Sequence, residues 1–173
     1  MAATDLKAFI RDVPDFPKPG IIFKDITPLL RSPEAFERSV ALLAAAFRDA
    51  GVTHVAAIES RGFIFGGGVA RILGAGFIPI RKPGKLPWTR RSHEYELEYG
   101  TDKLEIHDDA LASGDRVVIV DDVLATGGTA AAASHLVRGF DATLVGVAIV
   151  IELEFLGGRK KLDGTPVHSL IKY

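Results

Sequence analysis

The run Arg116-Val117-Val118-Ile119-Val120-Asp121-Asp122-Val123-Leu124-Ala125-Thr126-Gly127-Gly128-Thr129 limits the possible folds more than any other part of this sequence. The four apolar residues after Arg116 do not alternate with polar ones, so they predict a strand buried on both faces. That strand is expected to end in two adjacent carboxylates. A loop of small residues follows, and an alanine-rich helix over residues 127–139 opens from its two glycines. A doubly buried strand needs a layer on each face, and the helices of an α/β arrangement supply those layers.

The neighbouring segments repeat the pattern. Ser32 suits a helix N-cap, Pro33 the first helical position, and Glu34 the positive end of the helix dipole. Phe36, Val40, Leu43 and Phe47 recur at helical spacing until Gly51 stops the run. His54-Val55-Ala56-Ala57-Ile58 predicts a buried strand, residues 66–73 a short helix, 76–80 a second strand and 142–151 a long buried one. Near the start, Thr4 is expected to open a short helix with Leu6, Phe9 and Ile10 on one face. Residues 13–20, with three prolines, break regular structure, and Ile21, Ile22, Phe23 and Ile26 are expected to pack. Residues 83–92 form a polar, basic loop. Tyr95, Leu97 and Tyr99 then alternate with Glu94, Glu96 and Glu98, and a turn at 100–103 leads into Leu104-Glu105-Ile106, which predicts a β-hairpin. The expected architecture is an α/β fold, a parallel sheet with helices on both faces, in a single domain over residues 1–173.

Composition narrows the function. Twenty-one basic against 22 acidic residues leave a formal net charge of -1, so any positive site must be local and coating of nucleic acid by bulk charge is excluded. The absence of cysteine removes thiol nucleophiles, disulfides and thiolate metal sites, and it fits a cytoplasmic setting. No apolar run approaches the ~18 residues of a membrane span. The histidines His54, His93, His107, His135 and His168 lack metal-ligand spacing, and none is assigned to a metal.

In open α/β sheets, ligands bind beyond the carboxyl ends of the strands, which is where the loop after Leu124 falls. Gly127 and Gly128 let the backbone approach a ligand, the unpaired N–H groups of the helix start attract an anion, and Thr126 and Thr129 add hydroxyls. The glycine spacing is not that of a P-loop, and no lysine follows. Asp121 and Asp122 suit vicinal hydroxyls or a cation. A phosphate cradle beside a hydroxyl-binding acidic pair points to a sugar phosphate such as ribose 5-phosphate.

Residues 118–129 closely resemble the phosphoribosyl pyrophosphate signature of the type I phosphoribosyltransferases. The resemblance extends through Phe16-Pro17-Lys18-Pro19-Gly20-Ile21-Ile22-Phe23-Lys24-Asp25-Ile26-Thr27-Pro28, Ile58-Glu59-Ser60-Arg61-Gly62-Phe63, Ile80-Arg81-Lys82-Pro83-Gly84-Lys85-Leu86-Pro87 and Tyr95-Glu96-Leu97-Glu98-Tyr99-Gly100 to the branch of that family that takes adenine. It implies a small N-terminal hood over residues 1–30 and a flexible loop and hairpin lid over 83–106. It also implies a reaction: adenine and phosphoribosyl pyrophosphate give AMP and pyrophosphate, with Mg²⁺ carried by the substrate pyrophosphate and positive charge growing on the ribose. Two other readings stay open, an enzyme for another base and a non-catalytic regulator that binds phosphoribosyl pyrophosphate. The 16–28 block argues against the first. The net charge, and the lack of a DNA-binding element before residue 30, argue against the second.

The same resemblance implies roles. Glu98, Arg61, Asp121 and Asp122 are the catalytic candidates, with Glu98 handling the proton at the base. Ser60, Arg61, Gly62, Arg81, Lys82, Lys85 and Tyr99 join Asp121, Asp122, Ala125, Thr126, Gly127, Gly128 and Thr129 in binding phosphoribosyl pyrophosphate. Ile22 and Phe23 are expected to read adenine, with Leu124 and Ala125 closing the other side. Lys24 stands where many relatives carry arginine, which keeps a cation but loses bidentate geometry. Trp88, Arg90 and Arg91 receive no role. Relatives are usually homodimers, and the helix within residues 62–73 is the candidate interface.

Overall fold

The computed structural model describes residues 5–96 and 100–173. Its centre is a five-stranded, wholly parallel sheet. The strands are β3 (His54–Ile58), β4 (Gly76–Ile80), β7 (Arg116–Leu124), β8 (Thr143–Glu152) and β9 (Val167–Lys172), in the order β4-β3-β7-β8-β9. Along β7 the side chains alternate. Val118 and Val120 join Leu29, Leu43 and Phe65 on one side, where α1 (Thr27–Arg31), α2 (Pro33–Ala45) and α3 (Arg61–Leu73) lie. Val117 and Ile119 join Ala133, Val137, Leu104 and Ile106 on the other, beneath α4 (Gly128–Arg138) and an antiparallel hairpin of β5 (Arg90–Glu96) and β6 (Thr101–His107). Both faces are therefore dry, as the unbroken apolar run of β7 requires.

Ser32 caps α2 through an Oγ that accepts from the Ala35 N–H at 3.3 Å, and Gly51 closes the following turn at φ +62°. Several expectations shift. The helix expected at 66–73 begins at Arg61, because Gly62 lets the backbone lie on β7: a Cβ there would stand 2.8 Å from the Val120 carbonyl oxygen. Strand β7 does not stop at Val120. Its ladder with β8 runs on to Leu124↔Glu152, while β3 leaves it at Val120, so Asp121 and Asp122 lie within a strand that has lost one neighbour. Residues 13–20 do not abolish regular structure. Strands β1 (Arg11–Pro14) and β2 (Ile22–Asp25) pair across them, with Ile22 more than half exposed instead of packed.

The short helix at the start is a 3-10 turn, Leu6–Phe9, capped by the Asp5 carboxylate; Thr4 lies outside the described residues. Strand β9 was not anticipated. The hairpin begins at Arg90, inside the stretch expected to be loop, and its body is part of the core: Leu104 and Ile106 are fully buried, and β6 meets Arg81 in a two-hydrogen-bond bridge through Glu105.

Candidate active site

Because β3 ends one residue short of the acidic pair, a cavity of about 260 Å³ opens beside β7. Ser60, Arg61, Lys82, Asp121, Asp122 and Thr129 line it, together with Glu59. These six were all chosen from the sequence, and they come from four separate elements or their ends. A second hollow of about 70 Å³ adjoins it, formed by residues 123–130. Ala125, Thr126, Gly127 and Gly128 make its wall. Leu124, which is buried, lines it as well.

The loop at 125–127 is held by a second turn. Gly127 adopts φ +82°, and a Cβ there would strike the Gly158 carbonyl. Gly158 is pressed equally closely against the Ala125 carbonyl. Neither position accommodates a side chain without moving the other, which fixes the loop that precedes the N–H groups of α4.

Charge in the cavity is paired. Arg81, Lys82 and Lys85, chosen from the sequence for their positive charge, gather on one carboxylate: Glu59 accepts from Lys85 Nζ at 2.5 Å, from the Lys82 N–H at 3.0 Å, and from Arg81 Nε at 3.2 Å. Burial works to raise the Glu59 pKa, but these donors outweigh it and hold it at about 2. Arg61 Nε donates to Asp122 Oδ2, and Lys82 Nζ to Asp102 Oδ2. Each cation of the cavity thus faces a carboxylate 20 or more residues away in sequence, a pairing that linear spacing does not disclose.

The two aspartates are not equivalent. Asp121 is pushed well above the usual carboxylate range, first by burial and then by the adjacent Asp122 charge; its Oδ1 accepts from the Asp122 N–H at 2.9 Å. Asp122 has Arg61 as counter-ion. Arg61 also reaches the hood, its guanidinium 5.8 Å from the Phe23 ring, which in turn meets Phe16 edge-on at 5.2 Å. Phe23 therefore borders the site, whereas Ile22 is exposed on β2. Glu98 and Tyr99 lie outside the described residues.

Three residues near the site had no role from sequence. Glu59 directly follows β3 and precedes Ser60 in the block that resembles the family. Tyr95 and Asp102 were read only as hairpin, although Tyr95 lies on the inward face of the alternation. Its hydroxyl lies 3.2 Å from Thr129 Oγ1, 3.3 Å from Lys82 Nζ and 3.1 Å from Asp102 Oδ2.

The chain as a whole is similar to known proteins. Residues 26–169 fit the family model described as a phosphoribosyl transferase domain. An adenine phosphoribosyltransferase of Carboxydothermus hydrogenoformans is 59% identical over 169 residues, covering 98% of this chain and 99% of that one. The crystal structure of adenine phosphoribosyltransferase from Thermoanaerobacter pseudethanolicus superposes with a TM-score of 0.94 at 55% identity, covering 97% and 98% of the two chains. The Saccharomyces cerevisiae enzyme, solved with an imino-altritol bisphosphate and adenine, gives 0.90 at 44% identity, covering 95% and 96%. A signature loop held rigidly beside an acidic pair, and likeness along the whole length, lead to one conclusion: the chain belongs to the phosphoribosyltransferase family, in its adenine phosphoribosyltransferase branch.

Proposed function

We infer that the chain transfers the 5-phosphoribosyl group from phosphoribosyl pyrophosphate to adenine, giving AMP and pyrophosphate. The observation that carries this reading is the adjacency of two sites: the hollow of residues 123–130 at the start of α4, and the cavity beside Asp121 and Asp122. In the reaction the bond from C1′ to the pyrophosphate oxygen breaks, the bond from C1′ to a ring nitrogen of adenine forms, and that nitrogen loses its proton. Charge separates on the way, positive on the ribose and negative on the departing oxygens.

The family resemblance and the cavity lining together support the following roles. The N–H groups at the start of α4, with the Thr126 and Thr129 hydroxyls, hold the 5′-phosphate. Asp122 and Asp121 take the ribose hydroxyls, and the negative charge of Asp122 favours a cationic ribose. Arg61 and Lys82, with Arg81 and Lys85 behind them, serve the pyrophosphate once it displaces their carboxylate partners. Phe23 and Ala125 flank the base, with the Ile22 backbone at its edge. Glu98 remains the candidate for the proton of adenine.

Among the described residues no three His, Asp or Glu side chains are grouped to hold a metal. Glu59 is committed to three donors and Asp122 to Arg61. That donor set fits Mg²⁺ arriving on pyrophosphate oxygens with its own waters, and it does not fit a protein cage. When bound, the ion neutralises leaving-group charge. Ile64 and Ile72 of α3 and Phe77 of β4 are exposed apolar side chains that support a homodimer through this face, which sedimentation would show as a species of twice the chain mass.

Purified protein supplied with phosphoribosyl pyrophosphate, Mg²⁺ and adenine is expected to form AMP, and to leave hypoxanthine largely untouched. Preference for another base, or binding without turnover, would refute the assignment.

A further inference from the structure

The Tyr95 hydroxyl has three neighbours, and none of them belongs to the apolar core that surrounds its ring. Thr129 comes from the first turn of α4, Lys82 from the segment after β4, and Asp102 from β6. Tyr95 and Asp102 face each other across the hairpin in register, so they move as one unit. Lys82 and Thr129 line the active-site cavity from different elements and meet through this pair.

The hydrogen-bond inventory of a phenol fixes the directions. It has one proton and two lone pairs. The proton goes to the Asp102 carboxylate, so Tyr95 accepts from Lys82 and from the Thr129 hydroxyl, and all three positions are filled. Lys82 carries a second bond, to Asp102 itself. In the free enzyme the Thr129 proton and the Lys82 charge are thus both held by the hairpin.

We propose that Tyr95 and Asp102 are positioning residues for phosphoribosyl pyrophosphate: they hold Lys82 and the Thr129 hydroxyl in the free site, and the Asp102 carboxylate fills the place on Lys82 that an anionic oxygen of the substrate takes on binding. The inference rests on the transfer reaction described above. The exchange is balanced in charge and in hydrogen bonds. A phosphoryl oxygen carries more charge than a carboxylate and competes well for an ammonium. When Lys82 leaves, Asp102 keeps the Tyr95 hydroxyl and the Lys103 N–H, which it accepts at 2.8 Å, so no buried charge is stranded. Burial opposes the charge on Lys82, but its bonds to Asp102 and Tyr95 prevail and its pKa is raised, so it is a full cation in the free site.

Two full-length variants test this. Tyr95→Phe keeps the buried ring and removes only the hydroxyl, while Asp102→Asn keeps the shape and removes the competing charge. In steady-state assays Tyr95→Phe is expected to raise KM for phosphoribosyl pyrophosphate about 3- to 10-fold, the effect of one lost hydrogen bond, with KM for adenine unchanged. Calorimetric titration of Asp102→Asn with Mg-pyrophosphate is expected to show binding tightened about 3- to 10-fold, because Lys82 no longer has a fixed counter-ion. An unchanged KM for phosphoribosyl pyrophosphate in Tyr95→Phe, an equal rise in both KM values, or pyrophosphate binding that is unchanged or weaker in Asp102→Asn would each overturn the proposal. Failure of the unmodified enzyme to make AMP would instead refute the reaction, and the calorimetric arm needs no turnover.

Discussion

At the scale of single residues, Asp121 and Asp122 show how one motif can hold two different carboxyls. Asp122 has a guanidinium partner; Asp121 is buried beside it and is driven towards its neutral form. A carboxyl whose folded pKa is raised favours folding at pH below its unfolded value of 3.8, and that contribution is lost as pH rises from there through the folded pKa. At pH 7 Asp121 therefore costs stability. Asp121→Asn is expected to melt a few degrees above the unmodified protein at pH 7, with the gap closing below pH 3.8. Its turnover is expected to fall about 10- to 100-fold through a weakened hold on the ribose hydroxyls. Thermal melts across pH, together with kcat/KM, check both. Loss of stability in step with activity would show Asp121 to be a structural residue. The residue types were legible in sequence because the carboxylates stand together with the glycines and threonines of the following loop, a joint pattern that suits one ligand. Their pairing was not: Arg61 meets Asp122 only because α3 starts on top of β7, and Glu59 gathers Arg81 and Lys85 only through the parallel register of β3 with β4.

At the scale of elements, β7, its loop and α4 were readable because three signals agreed: continuous apolarity, paired glycines and a helix-forming run. Strand β9 was missed because His168 and Ser169 interrupt its apolar pattern; most of its residues are half-buried, as expected of a sheet edge. The β1–β2 pair was missed because prolines punctuate it and its side chains are exposed or only half-buried, so no clear apolar alternation marks it. The loop itself yields a sharp prediction. Gly127→Ala must both hold φ +82° and push Gly158 away, so it is expected to lower the stability by about 1–3 kcal/mol in denaturant titration. It is also expected to raise KM for phosphoribosyl pyrophosphate while leaving KM for adenine nearly unchanged. An equal rise in both would mean that the loop serves the base as much as the phosphate.

At the scale of the whole molecule, the site exists because a parallel sheet delivers its carboxyl-end loops to one edge, and because β3 stops where β7 continues. Cavity, hollow, hood strand and hairpin then converge without any one element containing the site. The sheet and its two covering layers followed from the alternation of strands and helices. The hairpin's place in the core did not, since the burial of Leu104 and Ile106 depends on α4 lying across them. The most direct test of the central claim is a crystal structure of the protein with AMP. The 5′-phosphate is predicted to lie on residues 125–129 at the start of α4, with the ribose hydroxyls on Asp121 and Asp122. A nucleotide seated elsewhere, with that loop empty, would contradict the account.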